Sequence, residues 1–139
     1  MTIETSTAQI PGRDELAGLY DAVGWAAYTR DLDTLERAVR GSAHVVTARR
    51  EGRLVGLARV VSDGATIAYL QDVLVHPEEQ GGGLGKRLVT EVMAPFEQVR
   101  QKVLLTDDEP GQRAFYESLG FAEVRDLDHG SLRAFVRFD

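Results

Sequence analysis

The sequence predicts an α+β, or mixed α/β, domain built on a mostly antiparallel twisted sheet with one central βαβ crossover. Two observations carry this. The stretch from His44 to Val75 splits at Glu51-Gly52 and Asp63-Gly64 into three apolar segments, the pattern of an antiparallel meander. After it, a helical period from Gly83 to Ala94, the apolar segment "QKVLLTD" and the helical "EPGQRAFYESLGF" give strand, helix, strand and helix in succession.

Each element has its own signal. A first strand is expected over Ile3 to Ile10, ended by Pro11-Gly12. Helices follow at Asp14 to Val23 and Thr34 to Arg40, the second with Leu35 and Val39 on one face and Asp31 or Asp33 as its cap. Leu84, Leu88, Val89, Val92 and Met93 share one face of the helix behind the meander, and Pro95 stops or kinks it. In the last helix Pro110 is expected near the first turn and Gly120 just past the end, with Phe121 folding back onto Tyr116. Two more strands, Ala122 to Asp126 and Arg133 to Phe138, complete a sheet of about seven strands with about four helices.

Composition narrows the function. With 139 residues, 43% of them hydrophobic and 27% charged, the chain reads as one soluble globular domain. The start "MTIETSTAQIPGRDE" lacks the marks of an export signal and no stretch suits a membrane span, so a cytoplasmic protein with no membrane partner is expected. There is no cysteine, which excludes disulfides, thiolate metal sites and a thioester on the enzyme. A net charge of −6 argues against nucleic acid as a general partner. No metal is expected.

Gly81, Gly82, Gly83 and Gly85 lie between the apolar "LQDVLV" and the amphipathic helix. Such a loop lets backbone N–H groups crowd around an anion, and the helix N-terminus adds partial positive charge. It is not a P-loop, because Gln80 and Arg87 stand where glycine and Ser or Thr are required. It is not a dinucleotide loop either, since Lys86 or Leu88 falls at the third glycine. What remains is Gln-x-x-Gly-x-Gly, made by Gln80, Gly83 and Gly85.

With "DVLVHPEEQGGGLGKRLV" and the later "AFYESLGF", the sequence resembles the GNAT superfamily of acyl-CoA-dependent N-acetyltransferases. Nearly the whole chain takes part, the first 45 residues only in outline. The resemblance implies acetyl-CoA as cosubstrate. Its pyrophosphate would lie on the backbone amides of Gln80, Gly81, Gly82, Gly83, Leu84, Gly85 and Lys86, with Lys86, Arg87 and Arg113 as supplementary charges. The pantetheine arm would pair with the backbone of Val73 and Val75. Glu109 departs from the family, many of whose members carry a cofactor-contacting asparagine there.

Transfer of an acetyl group from a thioester to an amine needs a neutral amine, donors for the developing oxyanion and a proton for the departing thiolate. Without cysteine, direct attack in a ternary complex is the expected course. By resemblance, Tyr116 serves the leaving sulfur and the Val73 N–H the oxyanion. The base is less defined. Tyr69 and Gln71 occupy positions that are commonly acidic in relatives. Asp72 is acidic, but strict alternation would place it with Leu70 and Leu74, opposite Tyr69, Gln71, Val73 and Val75. It reads equally as a catalytic carboxylate or as a buried structural one; His76 and a water chain are the alternatives.

In the fold that the resemblance implies, the acceptor pocket lies at the first two helices and their connection, to which "GWAAYTRD" supplies Trp25, Tyr28 and Arg30. Trp25 reads as packing the helices onto the sheet or, with Tyr28, as a pocket wall, with Gln71 as a further substrate contact and Asp31 or Asp33 to attract an ammonium. A primary amine of a small molecule is the expected acceptor; a protein lysine or N-terminus is the alternative. From a different class comes a module that binds acyl-CoA without turnover. The terminal "RAFVRF" strand would complete its own sheet or meet a partner's, so a homodimer is an expectation.

Overall fold

The computed structural model describes residues 2–127 and 132–139. They fall into two compact units, Met1–Leu105 and Thr106–Asp139. The first unit is a sheet covered on both faces. Its strands are β1 (Ile3–Ser6), β2 (His44–Arg50), β3 (Arg53–Ser62), β4 (Ile67–Val75) and β5 (Gln101–Leu104), in spatial order β1-β2-β3-β4-β5. All neighbours are antiparallel except β4 and β5, whose parallel pairing is the expected crossover.

Helices α1 (Arg13–Ala22), α2 (Ala26–Thr29) and α3 (Leu32–Arg40) precede the meander, and α4 (Leu84–Met93) forms the crossover. Leu16, Leu19 and Tyr20 of α1 and Leu35 and Val39 of α3 pack with Val45, Leu54, Leu57 and Leu74 of the sheet into one core. The α3 cap is Asp31, which accepts the Thr34 N–H at 3.1 Å. α4 lies on the other face, with Leu84, Leu88, Val89 and Val92 buried. It ends at Met93, and the turn Ala94–Phe96 with Pro95 follows. Among the described residues no helix is long and apolar enough to cross a membrane.

β3 and α4 approach each other closely at Gly56. A Cβ there would lie 2.9 Å from Leu88 Cδ1 and 3.3 Å from both Ala48 Cβ and the Leu74 carbonyl oxygen. Gly56→Ala is therefore expected to destabilise the fold by about 1–3 kcal/mol through overpacking. An unchanged denaturation midpoint would show that α4 gives way freely.

In the second unit, α5 (Gln112–Ser118) starts after its cap Gly111, with Pro110 just ahead of the first turn as expected. Its C-terminus follows expectation. Gly120 has φ +92°, its N–H donates to the Glu117 carbonyl at 3.1 Å, and the Phe121 N–H donates to the Tyr116 carbonyl at 3.0 Å. The Phe121 ring meets Tyr116 edge-on.

Among the described residues the sheet has five strands, not seven. Ala122 to Asp126 does not extend: Val124–Asp126 is a single tight turn, with the Asp126 N–H donating to the Glu123 carbonyl at 2.9 Å. Arg113 of α5 holds that turn through Glu123 at 2.9 Å and Asp126 at 2.5 Å. Arg133 to Phe138 forms no strand, and Phe135 and Phe138 are about 90% exposed. A strand exists only in a ladder, and the described residues of this unit contain no second strand to supply one. The described residues form five α-helices rather than four, because "AAYT" closes one short turn of its own as α2.

Candidate functional site

β4 organises the site. Its pairing with β5 runs from Ile67↔Gln101 to Leu70↔Leu104, so Gln71–Val75 have no paired strand on that side among the described residues. On the other side, the His76 N–H donates to the Val55 carbonyl at 2.8 Å, which sets the phase of the β3–β4 ladder. Counting back by twos, Leu74 and Asp72 direct their backbone groups to β3, while Val73 and Val75 direct theirs to the open edge. The Val75 carbonyl there accepts a 3.1 Å hydrogen bond from Gln80 Nε2, which ties the loop to the strand.

The loop presents donors. Gly83 is the cap of α4 in the left-handed region at φ +84°, which a side chain would strain. Leu84, Gly85 and Lys86 are the first helical residues, whose N–H groups have no intrahelical acceptor. Among the described residues, no acceptor is recorded for the N–H groups from Gly81 to Lys86. Nearby acids are neutralised: Glu79 pairs with Arg50 at 2.5 Å and Glu78 with Arg53 at 2.9 Å.

Of the supplementary cations, only Lys86 is left without a partner among the described residues. Arg87 donates to the Ile3 carbonyl at 3.0 Å and to Thr5 Oγ1 at 3.1 Å, fastening α4 to β1. Arg113 is held by Glu117, Glu123 and Asp126. Both were expected near the anion and are committed elsewhere.

The strict alternation expected along β4 fails at one point. Arg59 pairs with Asp72 but Val60 pairs with Leu70, so Gln71 is an extra residue, a β-bulge. Arg59 and Val60 are successive and face opposite ways. Leu70 and Asp72 therefore lie on opposite faces, and Asp72 joins Leu74 on the face of α1 and α3. The same bulge brings Tyr69 to the Asp72 side. Burial and then the Asp72 charge raise the pKa of the Tyr69 phenol.

Asp72 is 1% exposed and fully engaged. Its carboxylate accepts from Arg59 Nε at 2.5 Å, Tyr20 Oη at 2.8 Å and Tyr28 Oη at 3.0 Å. Arg59 also donates from Nη1 to the Ala38 carbonyl at 3.4 Å and Ser42 Oγ at 3.3 Å, at the C-terminal end of α3. Burial pulls the Arg59 pKa down, but the charge and hydrogen bond of Asp72 outweigh it and the net shift is upward. Burial, then the Asp72 charge, raises the pKa of both tyrosines. Such a set of partners is that of the buried structural carboxylate, one of the two roles the sequence left open.

Tyr28, half-buried, joins this centre to the surface. Gln71 is exposed and donates from Nε2 to Tyr28 Oη at 3.1 Å. Trp25 packs edge-on to Tyr20 at 6.0 Å between ring centres and lies 6.0 Å from Tyr28, against the α1–α3 core. The carboxylates expected to attract an ammonium are spent: Asp31 caps α3 and Asp33 pairs with Arg13. One ring nitrogen of His76 is engaged, its Nδ1 accepting the Glu78 N–H at 3.1 Å.

In the second unit Tyr116 stacks edge-on with Phe115 at 4.9 Å and with Phe121 at 6.1 Å. Burial, then the Asp107 charge, raises its phenol pKa, so the hydroxyl keeps its proton at neutral pH.

Sequence inspection missed Arg59 and Tyr20. An arginine inside the apolar run "LVGLARVVS" was the available signal, because a charge in a buried strand must find a counter-charge. Tyr20 gave none, since its spacing on α1 matches that of any core aromatic.

A model of the acetyltransferase (GNAT) domain matches residues 14–130. An N-acetyltransferase of Pyropia yezoensis, itself uncharacterised, is 33% identical over 82% of this chain and 66% of its own length. The chloroplastic GCN5-related N-acetyltransferase 2 of Arabidopsis thaliana is 35% identical over 77% of this chain and 48% of its own. The chain thus spans between about half and two thirds of these curated relatives. A GNAT-family acetyltransferase from Streptococcus pneumoniae superimposes with a TM-score of 0.82 at 29% identity, covering 99% of this chain and 100% of that one.

Proposed function

The chain belongs to the GNAT acetyltransferase family, and on that premise we propose that it moves an acetyl group from acetyl-CoA to the primary amine of a small molecule. The observation that carries this is the run of unpartnered N–H donors from Gly81 to Lys86 beside the open edge of β4. The donors suit a pyrophosphate, and the edge at Val73 and Val75 suits the amide-bearing pantetheine arm.

The roles we assign draw on the open edge of β4 for Val73 and on the motif alone for Tyr116. The Val73 N–H, aimed at the open edge, donates to the carbonyl oxygen as charge develops there. The amine nitrogen forms the new C–N bond as the C–S bond breaks, and we assign Tyr116 to give the departing sulfur its proton. Asp72, held by Arg59 and two tyrosines, positions the acceptor wall rather than taking the amine proton. The amine then loses its proton to water. Trp25, Tyr28 and Gln71 form the acceptor wall.

The test is thiol release from acetyl-CoA in the presence of phenethylamine, spermidine and glycinamide. Gly83→Val forces a β-branched residue into the left-handed region and is expected to weaken acetyl-CoA binding about tenfold. Unchanged acetyl-CoA binding would remove the loop from the cosubstrate site. A second possibility, an acyl-CoA-binding module without turnover, draws on the full engagement of Asp72. Tight CoA binding with no acceptor-dependent thiol release would select it. Thiol release with lysine peptides but not with these amines would favour a protein acceptor.

A further inference from the structure

The polar chain that leads out from Asp72 has only one self-consistent arrangement of protons. A carboxylate paired with a guanidinium only accepts, so the Tyr28 hydroxyl must spend its single proton on Asp72 Oδ1. At 3.1 Å from Gln71 the same hydroxyl can then only accept. Gln71 must turn its NH₂ toward Tyr28, and its carbonyl oxygen Oε1 points the other way. The amide orientation, ordinarily ambiguous, is set by a buried charge two hydrogen bonds away.

Gln71 is also the extra residue of the β4 bulge, exposed on the strand whose next residues open onto the free edge. Bulges re-aim side chains, and here the re-aimed one shares the partner of its buried neighbour. The expected carboxylates, Asp31 and Asp33, are committed to a helix cap and to Arg13.

We propose that the Asp72–Tyr28–Gln71 chain fixes Gln71 Oε1 as a neutral hydrogen-bond acceptor that orients an N–H of the incoming amine without taking its proton. Gln71 is the residue that touches the amine, and Tyr28 and Asp72 are positioning residues acting through it. The proposal rests on the acetyltransfer proposed above, but its test does not require turnover. A neutral carbonyl accepts a hydrogen bond from an ammonium or an amine but cannot take the proton, so the ammonium must lose it to water before the nitrogen can attack. Turnover by this route favours weakly basic amines, or strongly basic ones at alkaline pH.

Amine affinity for the CoA-saturated protein is read by NMR titration with phenethylamine, spermidine and glycinamide. Gln71→Leu is expected to weaken binding about tenfold, the range of one lost hydrogen bond. Tyr28→Phe should weaken it similarly, and the double variant should lose no more than either single one. A structural role for Tyr28 would instead add its own loss. Unchanged affinity in Gln71→Leu, additive losses, or no amine binding at all overturns the proposal. Binding that depends on Gln71 without thiol release would sink the acetyltransferase and leave the subsite standing. With turnover, kcat/KM for phenethylamine and glycinamide should rise with pH along each amine's own ionisation. One common inflection for both amines would reveal an ionising base on the enzyme and overturn the neutral-acceptor proposal.

Discussion

Replacing Asp72 with asparagine is expected to lower stability by about 3–5 kcal/mol, the usual result of leaving one member of a buried ion pair alone. Arg59 stays buried with its counter-charge gone. The single carbonyl oxygen of asparagine cannot serve the guanidinium and both tyrosine hydroxyls as two carboxylate oxygens do. For a chain of this size the loss corresponds to roughly 10 °C or more in Tm, read by calorimetry or circular dichroism. Arg59→Met combined with Asp72→Leu should cost less than either change alone, because no unpaired charge remains. A small loss in Asp72→Asn would mean that the centre is hydrated and Asp72 is available for proton transfer. The same centre limits alkaline tolerance. Burial and Asp72 raise the folded-state pKa of Tyr20, so its contribution is intact below the unfolded value of about 10 and is lost as pH climbs toward the folded one.

Tyr116→Phe is expected to reduce kcat by about 10²-fold or more while leaving acetyl-CoA affinity unchanged. The hydroxyl is the only group removed, and the ring contacts with Phe115 and Phe121 that shape the end of α5 remain. The raised phenol pKa keeps the donor protonated through neutral pH. The alkaline fall of kcat should therefore lie above about 10, the ordinary tyrosine value, and should vanish in the variant. Turnover equal to the parent's would move proton donation to water or to another residue.

Most of the fold was legible because its signals are local. The meander was punctuated by Glu51-Gly52 and Asp63-Gly64, and the apolar stripe of α4 gave its buried face directly. The helix end at Gly120 was readable for the same reason, since a left-handed residue and the fold-back of Phe121 are set within a few positions. The last two strands were misjudged. Ala122 to Asp126 has strand-like composition, yet Arg113 gathers Glu123 and Asp126 into a turn that no local pattern announces. β-propensity reports fit to a sheet surface, and it cannot say whether a partner strand exists.

The site divides in the same way. The glycine loop from Gln80 to Lys86 was legible in the sequence, because glycines and motif spacing dictate backbone geometry close by; the edge at Val73 and Val75 and the role of Tyr116 were carried only by the family resemblance. Which face Asp72 occupies was decided only in three dimensions. A single extra residue at Gln71 reverses the facing of everything beyond it on β4, and a bulge depends on the neighbouring strand rather than on the bulged one. The partnership of Asp72 with Arg59, Tyr20 and Tyr28 joins residues far apart in the chain, and only burial makes it obligatory: a charge withdrawn from water must find its counter-charge and its donors wherever the fold has placed them.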